Sequence, residues 1–451
     1  MLSTAQLADQ IKGRVIAPDD ADYDRARRVF AAAVDRRPAV IVRAADTDDI
    51  ARVIGMARET GLDLAVRSGG HSNAGHGVCE GGIVLDLGDL RALELDVEGR
   101  TAWAQTGLTA GEYTTAAGEH GLATGFGDTA TVGIGGITLG GGIGFLVRKH
   151  GLTIDDLLAA EVMTADGELL HVDADNHPEL FWAIRGGGGN FGVATRLKLR
   201  LHELDGIVGG PLIMPATPAL IASFMAEAQA APDELSTILN VMKAPPLPFL
   251  PPAAHGKLIA MALLAYAGPV EQAHGVLAPF RDLDTPLADM VRPIPYAEIY
   301  PPDDPDYRPI ATVRTMFMQG VDLNAAETIV ERIRTSSAPM AVAQLRVLGG
   351  AMARVPADAT AFAHRDKRVM TNVAAIAEGF DQLPDRAAWV HEVSAELNQG
   401  DDDAYVGFLG DEGAERVRAA YPPATWERLA RVKAEYDPEN VFRVNQNITP
   451  A

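Results

Sequence analysis

Residues 67–77 read RSGGHSNAGHG and place two histidines, two serines, an arginine and four glycines in one short stretch. Glycine tolerates positive φ and lets backbone N–H groups approach a ligand closely. Imidazole can ligate a metal ion or attack an electrophile. From these residue types alone, the stretch is compatible with a metal site, a phosphate cradle, a covalent anchor or a plain turn.

Two further glycine-rich segments strengthen the case for a bound ligand. They are residues 131–144, TVGIGGITLGGGIG, and residues 186–193, GGGGNFGV. One glycine loop is commonly a turn. Three such loops between residues 67 and 193 favour a site for one large cofactor over a set of tight connections.

The common nucleotide fingerprints do not match these segments. A P-loop continues its glycines into Lys followed by Ser or Thr, and none of the three segments does so. A dinucleotide fingerprint, GxGxxG, begins at Gly133 and Gly135, but Thr138 stands at the last glycine position. A nucleoside triphosphate and NAD are therefore disfavoured as the ligand.

A metal site at the first glycine loop lacks enough ligands. His71 and His76 lie five positions apart, and the nearby downstream carboxylates are Glu80 and Asp86. Cys79 is the single cysteine, which excludes an internal disulfide and a multi-cysteine metal site. The sequence thus predicts no metal ion and leaves His71 as either a structural histidine or a covalent anchor.

Length and charge bound the class of protein and partner. The chain has 451 residues, 47% of them apolar, which predicts two globular domains. Its net charge of −22 disfavours nucleic acid and anionic membranes as partners. It offers no apolar run of membrane-spanning length and no pattern of a secretory signal. We expect a cytoplasmic protein that binds a small molecule, with its oligomeric state left open.

Changes of composition along the chain predict three parts. Residues 1–205 alternate short strand-like and helix-like patterns and contain all three glycine loops. Acidic residues from Asp46 favour a helix start and Gly61 its end, and Glu98-Gly99 and Asp166-Gly167 predict hairpin turns. Residues 206–404 carry proline-rich segments at 244–252 and 300–309, which predict surface loops or lids. Residues 405–451 form a tail with a helix-like stretch near its middle.

The stretch VRSGGHS at residues 66–72 resembles the histidyl-flavin loop of FAD-linked oxidases. The family is the vanillyl-alcohol-oxidase superfamily, specifically its berberine-bridge-enzyme-like branch. The resemblance continues, in the family's order, through TVGIGGITLGGGIGFLVRKHGLTIDDLL, HPELFWAIRGGGGNFGVAT and YDPENVFRVNQNITP. Within the branch, bacterial 6-hydroxynicotine-oxidase-type enzymes and secondary-metabolite oxidases look most similar.

This resemblance implies a fold and a division into domains. The expected class is α+β, with a two-lobed FAD-binding domain of the PCMH type formed by residues 1–205. Residues 206–404 would be an inserted α+β substrate domain built on an antiparallel sheet. Residues 405–451 would return to the FAD domain and close the cofactor site.

The resemblance also implies how FAD is held. In the family, the histidine at the position of His71 bonds covalently to the flavin 8α-methyl group. Many relatives add a second bond from a cysteine, but Thr129 stands at that position, so no cysteinyl link is expected. The other residues expected to bind FAD are Arg67, Ser68, Gly69, Gly70, Ser72, Gly77, Thr129, Thr131, Val132, Gly133, Gly136, Gly141, Gly144, Val193, Asn445 and Asn447.

The implied reaction is oxidation of an alcohol or amine carbon in a small or secondary-metabolite substrate. A base takes a proton while hydride passes to flavin N5, and O2 is the expected electron acceptor. Relatives often place a tyrosine base in a YxNY segment. Here AYVGFL keeps Tyr405 but has Gly407 and Phe408, and phenylalanine cannot accept a proton. Either another group is the base, or a neutral amine substrate needs little help.

Further catalytic candidates lie in the substrate domain. The alternation in AQLRVLGG predicts a strand with Gln344 and Arg346 on one face, and in the family this strand faces the flavin. A solvated strand position is the alternative for Arg346. Three tyrosines of the second proline-rich region are candidates to line or cap the pocket: Tyr296, Tyr300 and Tyr307.

Two other functions remain compatible with the sequence. One is a flavin dehydrogenase with poor oxygen reactivity. The other is a flavoprotein with a binding role and no redox role, which the change at Phe408 motivates.

Overall fold

The computed structural model describes residues 7–301, 304 and 307–451. Helices alternate with mostly antiparallel strands, which confirms the predicted α+β class. The predicted loop at 300–309 lies in part, and the segment 1–6 wholly, outside the described residues.

The α-helices are mostly short and lie between strands. They are α1 (Tyr23–Ala26), α2 (Thr47–Thr60), α3 (Ala110–Gly118), α4 (Ile134–Gly140), α5 (Val147–His150), α6 (Pro178–Ala183), α7 (Pro218–Ala230), α8 (Val270–Arg281), α9 (Leu323–Thr335), α10 (Ala351–Arg354), α11 (Leu383–Leu397), α12 (Ala414–Ala419) and α13 (Pro423–Tyr436). Single 3₁₀ turns span Thr153–Asp155, Pro252–Ala254, Tyr296–Ile299, Phe380–Gln382 and Val406–Phe408. Among the described residues, no helix combines the length and apolarity needed to cross a membrane.

The first sheet leads into the first glycine loop, residues 67–77, which is called the histidine loop below. Its strands are β1 (Arg14–Ile16), β2 (Val40–Arg43), β3 (Leu64–Arg67) and β4 (Ile83–Asp86). They are ordered β1–β2–β4–β3, and the pairs β2–β4 and β4–β3 are parallel. Because β3 ends at Arg67, the histidine loop leaves the sheet at the carboxyl ends of its parallel strands. Ligands commonly bind at this edge.

Helix α2, which connects β2 to β3, has the ends that its sequence predicts. The Asp46 side chain accepts a hydrogen bond from the Asp49 backbone N–H at 3.1 Å, as an N-cap does. Gly61 ends the helix with a φ of 67°. This left-handed conformation favours glycine.

The second sheet is antiparallel. Its region contains β5 (Leu93–Asp96), β6 (Thr101–Gln105), β7 (Leu122–Ala123), β8 (Leu157–Met163), β9 (Leu169–Asp173), β10 (Val193–Arg200) and β11 (His202–Glu203). Five of these strands are ordered β5–β6–β10–β8–β9, while β7 and β11 form a separate pair. The third glycine loop leads directly into the central strand β10. The sheet thus fixes where that loop begins and ends.

Two hairpins of the second sheet follow the predicted turns at Glu98-Gly99 and Asp166-Gly167. In the first turn, the positive φ falls on Arg100 and not on the glycine. Gly99 leaves space for the Asp96 side chain, whose Oδ1 accepts a hydrogen bond from the Gly99 backbone N–H at 2.8 Å.

The third sheet is also antiparallel and is formed by residues from 207 to 376. Its strands are β12 (Ile207–Pro215), β13 (Leu235–Lys243), β14 (Leu258–Tyr266), β15 (Ala288–Asp289), β16 (Arg292–Ile294), β17 (Ala311–Met318), β18 (Ala341–Val347) and β19 (Val369–Ile376). The order is β15–β12–β14–β13–β18–β19–β17, with β16 paired to β12. The sheet lies within the range expected for a substrate domain, whose limits at 206 and 404 stay predictions.

One face of the third sheet is covered by helices α7, α9 and α11, and together they form a large hydrophobic core. On β18, Ala343 and Leu345 point into this core. Since side chains alternate along a strand, Gln344 and Arg346 share the opposite face. The predicted alternation is therefore confirmed.

A buried lysine ties the tail to the third glycine loop. Lys433 on α13 is fully buried, and its ammonium bonds Asp437 Oδ2 at 2.6 Å, the Asn190 carbonyl at 2.7 Å and the Phe442 carbonyl at 2.9 Å. Asp437 in turn accepts from the backbone N–H groups of Val441 and Phe442. Burial lowers the pKa of Lys433, and the contact with Asp437 opposes that shift. These bonds bring the YDPENVF segment back against the glycine loops.

Replacing Lys433 by methionine should destabilise the protein strongly. The change leaves the Asp437 carboxylate buried without its cation, a loss typically worth about 3–5 kcal/mol of unfolding free energy. Urea unfolding followed by circular dichroism measures it. The matched control Lys12→Met removes an exposed lysine and should leave the midpoint close to that of the wild type. Equal midpoints for both variants would show that the buried pair does not hold the tail.

Candidate active site

The three glycine loops, the third sheet and the tail converge on one cavity of about 470 Å³. Most of the residues predicted to bind FAD or the substrate line this cavity. Sixteen predicted residues line it: Arg67, Ser68, Gly69, Gly70, His71, Ser72, Gly77, Thr129, Val132, Gly133, Gly136, Val193, Gln344, Arg346, Tyr405 and Asn445.

His71 is half-buried at the cavity and is held by an aromatic neighbour. The Phe30 ring stacks on the imidazole, with ring centroids 4.4 Å apart and planes 19° from parallel. The Phe30 backbone N–H donates to the Gly70 carbonyl at 3.0 Å, which fixes the two segments together. Gly70 itself has a φ of 71°, so a side chain there would strain the loop.

Arg67 lines the cavity, but its guanidinium is bonded to other groups of the protein. Its Nη2 bonds Asp86 Oδ2 at 2.8 Å in a buried ion pair and the Ala26 carbonyl at 2.7 Å, and Nη1 bonds the Arg28 carbonyl. In the structure the guanidinium braces the histidine loop against the first sheet. Contact of Arg67 with FAD stays a prediction, since the residue also lines the cavity.

The first two glycine loops touch backbone to backbone. A Cβ on Gly69 would lie 2.2 Å from the Gly133 nitrogen, and a Cβ on Gly133 would lie 2.2 Å from the Gly69 nitrogen. Ser68 Oγ donates to the Thr106 carbonyl at 2.5 Å and pins the same corner. The second segment is not all loop, because residues 134–140 form helix α4. Glycine at these contacts therefore serves close approach.

Four predicted FAD-binding residues do not line the cavity: Thr131, Gly141, Gly144 and Asn447. A Cβ on Gly144 would fall 1.4 Å from the Phe126 carbonyl oxygen, so this glycine is required by packing. Gly141 has a φ of 135° and packs against the Tyr405 ring. The Thr131 carbonyl lies against Gly69. For these three residues, the structure shows support of the loops rather than contact with the cavity.

A polar network runs from the third sheet into the cavity wall. Arg346 Nε donates to Gln344 Oε1 at 3.0 Å, and Gln344 Nε2 donates to Asn240 Oδ1 at 3.0 Å. Arg346 Nη2 also bonds Asp128 Oδ2, which comes from the segment before the second glycine loop. Arg346 is therefore no solvated strand residue. It connects the third sheet to the glycine-loop region.

Tyr405 is buried at the cavity, and its hydroxyl accepts a hydrogen bond from the Gly142 backbone N–H at 2.9 Å. Burial raises the pKa of Tyr405 to about 12, while this bond and the nearby Arg346 charge favour the phenolate. Phe408 packs on the Tyr405 ring, with centroids 5.6 Å apart, and on the Arg346 guanidinium at 5.1 Å. The residue at the usual base position thus orders both candidate groups.

Several cavity residues were missed by the sequence analysis. They include Asp128, His76, Phe30 and Asn372. Asp128 could have been noticed, since it adjoins Thr129 in GDTATVG. His76, for which the sequence indicates no role beyond the excluded metal site, also lines the cavity. Burial and the nearby Arg36 charge lower the pKa of His76 to about 4, so it is neutral at physiological pH.

Other expected pocket residues lie elsewhere. Tyr296 and Tyr300 are buried in a separate hydrophobic cluster and do not line the cavity. The Tyr300 hydroxyl is 3.4 Å from Thr114 Oγ1. His364 and Arg365 form structural hydrogen bonds, with Arg365 bonding both oxygens of Asp155.

The residues present fit FAD. Gly136 and Gly189 line the cavity, and a Cβ on either would meet no atom within 4 Å, so glycine keeps that space open for a dinucleotide. Asn445 at the cavity has a buried Oδ1 without a hydrogen-bond partner among the described residues, and so does Asn447, two positions further along the chain. Buried acceptors of this kind normally find a donor. The described residues contain no group of His, Cys, Asp and Glu side chains able to hold a metal ion.

Comparison with known families agrees with this geometry. Residues 38–173 match the model of an FAD-binding domain, and residues 400–449 match the model described as berberine and berberine like. The first match includes the first two glycine loops. The second covers Tyr405 and the asparagines of the tail.

Individual relatives span nearly the whole chain. (R)-6-Hydroxynicotine oxidase of Paenarthrobacter nicotinovorans is 30% identical over 98% of this chain and 97% of its own length. The FAD-linked oxidoreductase YvdP of Bacillus subtilis is 32% identical over 98% and 99%. The crystal structure of 6-hydroxy-D-nicotine oxidase from Arthrobacter nicotinovorans superposes with a TM-score of 0.87 at 27% identity, covering 98% of each chain. This chain therefore belongs to the berberine-bridge-enzyme-like family and is an FAD-linked oxidoreductase.

Proposed function

We propose that the protein binds FAD through one covalent bond from His71 and oxidises an alcohol or amine carbon of a small molecule. The observation that carries the proposal is that His71, Tyr405 and Arg346 line the same cavity. An anchor for the cofactor and candidate groups for the substrate thus lie in one enclosed space. Bound FAD supplies a two-electron acceptor at N5 for a hydride from the substrate carbon, with O2 the expected final acceptor.

The proposed anchor is a neutral imidazole nitrogen of His71, which would hold the flavin through its 8α-carbon. Forming this bond would release one proton from the carbon and one from the imidazole, and the two electrons would reduce O2 to H2O2. Phe30 stacks on the ring and limits its rotation. Loss of rotational freedom before reaction favours bond formation.

A second link through cysteine has no support in the site. Thr129 lines the cavity where relatives carry the second anchor. Cys79 is buried, and its Sγ lies 3.4 Å from the Ile83 carbonyl. Burial raises the pKa of the Cys79 thiol to about 11, which suppresses its reactive thiolate.

Tyr405 is the proposed proton acceptor for an alcohol substrate. Its hydroxyl is fixed by the Gly142 N–H, and Arg346 supplies positive charge nearby. Both would stabilise a phenolate in a cavity with little water. A neutral amine could give up hydride without this base.

A dehydrogenase with poor oxygen reactivity is the second candidate. The observation that motivates it is the packing of Ile154, which is fully buried in the cluster that contains Tyr405 and Phe408. Close packing around Ile154 would restrict the approach of O2 to the reduced flavin. Reoxidation of the reduced flavin in air separates the two functions, because an oxidase recovers its colour within seconds and a dehydrogenase requires an added acceptor.

The variant His71→Ala tests the anchor. We expect wild-type protein to show flavin fluorescence in its band on a denaturing gel, because the cofactor stays bonded to the chain. His71→Ala should show none, while the native variant remains yellow because the glycine loops still bind FAD. His76→Ala is the matched control and should keep the fluorescent band. Fluorescence retained in His71→Ala, or lost in His76→Ala, would contradict the assignment.

Anaerobic mixing with a panel of alcohols and amines tests the redox role. We expect at least one compound to bleach the flavin absorbance. Admission of air should then restore the absorbance and produce one H2O2 per oxidised substrate. A protein whose FAD is bleached by dithionite but by no alcohol or amine would speak for a binding role alone.

A further inference from the structure

We propose that the substrate end of this cavity, the part lined by Arg346, Asn372, Asp128 and Phe408, selects a molecule with an oxygen acceptor, a carboxylate or carbonyl, and rejects an ammonium ion. The inference rests on the proposed function, because it specifies the substrate of that site. It departs from the simple expectation that a chain with a net charge of −22 favours cationic ligands.

The first support is an incompletely bonded guanidinium. Arg346 lines the cavity and is 4% exposed. Its Nε and Nη2 have acceptors, whereas the buried Nη1 has no hydrogen-bond partner among the described residues. An unsatisfied buried donor is costly and is normally paired by a bound group. An oxygen of the substrate would satisfy Nη1 with a charge-assisted hydrogen bond.

The second support is a neighbouring carboxamide. Asn372 also lines the cavity, and its buried Oδ1 has no partner among the described residues. Asn372 stands directly opposite Gln344 in the register of β18 and β19. Since Arg346 pairs with Met370, two positions before Asn372, the two unsatisfied groups are diagonal neighbours on one face of the sheet. Together they offer a donor to an acceptor oxygen and an acceptor to a hydroxyl or neutral N–H.

The third support is the arrangement of negative and aromatic groups. Asp128 is the one carboxylate among the described residues that line the cavity, and Arg346 Nη2 and Thr129 Oγ1 already donate to it. An ammonium ion would find no unpaired carboxylate. The Phe408 ring, which could otherwise attract a cation, lies against the Arg346 guanidinium. The substrate end thus combines an unmet donor with no unmet negative charge.

Three probes of similar size and shape test this selectivity. Benzoate carries an anionic acceptor, benzamide a neutral acceptor, and benzylamine is an ammonium ion at neutral pH. Their dissociation constants are measured on the purified holoprotein by calorimetry, and a shift of the flavin absorbance shows that binding occurs at the cavity. We expect benzoate to bind at least about tenfold more tightly than benzylamine, with benzamide between them. Equal affinities, tighter benzylamine binding, or no binding of benzoate would overturn the proposal.

Variants of the two charged residues give opposite expected changes. Arg346→Met should weaken benzoate about tenfold or more and strengthen benzylamine, because Asp128 is then unpaired. Asp128→Asn should strengthen benzoate. Arg334→Met, which removes an exposed arginine on α9, is the matched control and should change neither affinity. If Arg346→Met fails to fold, Asp128→Asn decides alone, and an unchanged or weaker benzoate affinity contradicts the proposal.

The test separates two kinds of failure. A yellow protein that prefers benzoate but whose flavin is bleached by no alcohol or amine would contradict the proposed function and leave the selectivity intact. A yellow protein that is bleached by a substrate but binds benzylamine best would contradict the selectivity alone.

Discussion

Replacing Tyr405 by phenylalanine should slow reduction of the bound flavin by an alcohol substrate at least about a hundredfold. Positioned proton transfer commonly contributes factors of roughly 10²–10⁴, and phenylalanine keeps the ring but cannot accept a proton. Stopped-flow absorbance under anaerobic conditions measures the rate with a compound that bleaches the wild type. Tyr436→Phe, on the surface side of α13, is the matched control and should keep the wild-type rate.

The proposal that Tyr405 accepts the proton also predicts how the rate of flavin reduction changes with pH. Burial raises the pKa of Tyr405 to about 12, so the phenol form dominates at neutral pH. Below that value, the phenolate fraction rises roughly tenfold for each pH unit. The wild-type rate of flavin reduction should therefore climb with pH as long as the protein stays folded, and the Tyr405→Phe profile should lack this climb. A wild-type plateau near neutrality, or a rate in Tyr405→Phe close to that of the wild type, would assign the proton to another group.

Replacing Gly69 by alanine should abolish FAD binding. The added Cβ would lie 2.2 Å from the Gly133 nitrogen, a backbone atom that cannot move without separating the two glycine loops. The ratio of flavin to protein absorbance in the purified variant measures the loss, and circular dichroism shows whether the fold persists. Gly55→Ala is the matched control, since its Cβ would meet nothing within 4 Å on helix α2. It should retain full flavin content. A yellow Gly69→Ala protein would show that the loop contact is not required by the cofactor.

Local sequence rules predicted the elements that depend on neighbours in the chain. The cap of α2 at Asp46, its end at Gly61 and the strand alternation at Gln344 and Arg346 all follow from short-range geometry. These features need no knowledge of distant contacts. The resemblance of the glycine loops then supplied the family, which the comparisons confirm.

The features that the sequence did not reveal depend on contacts between residues far apart in the chain. Arg67 meets Asp86 across two parallel strands, and Arg346 meets Asp128 across 218 positions of the chain. No local pattern links such partners. The sequence therefore indicates that Arg67 belongs to a glycine loop, but not that its charge is paired with Asp86.

The burial of Tyr296 and Tyr300 has the same origin. Their proline-rich surroundings suggest a surface lid. Both rings are instead buried in a hydrophobic cluster that also contains Phe145. Burial of a tyrosine depends on which elements meet, and periodicity alone does not show this.

The central claim is that His71 carries the flavin, and the mass of the denatured chain tests it most directly. Purified protein is precipitated in acid, redissolved and weighed intact by mass spectrometry, and the peptide that contains residues 67–77 is then sequenced by fragmentation. We predict the mass of the chain plus one FAD, with the added mass on His71. A chain of unmodified mass, with all the yellow colour in the acid supernatant, would contradict the account.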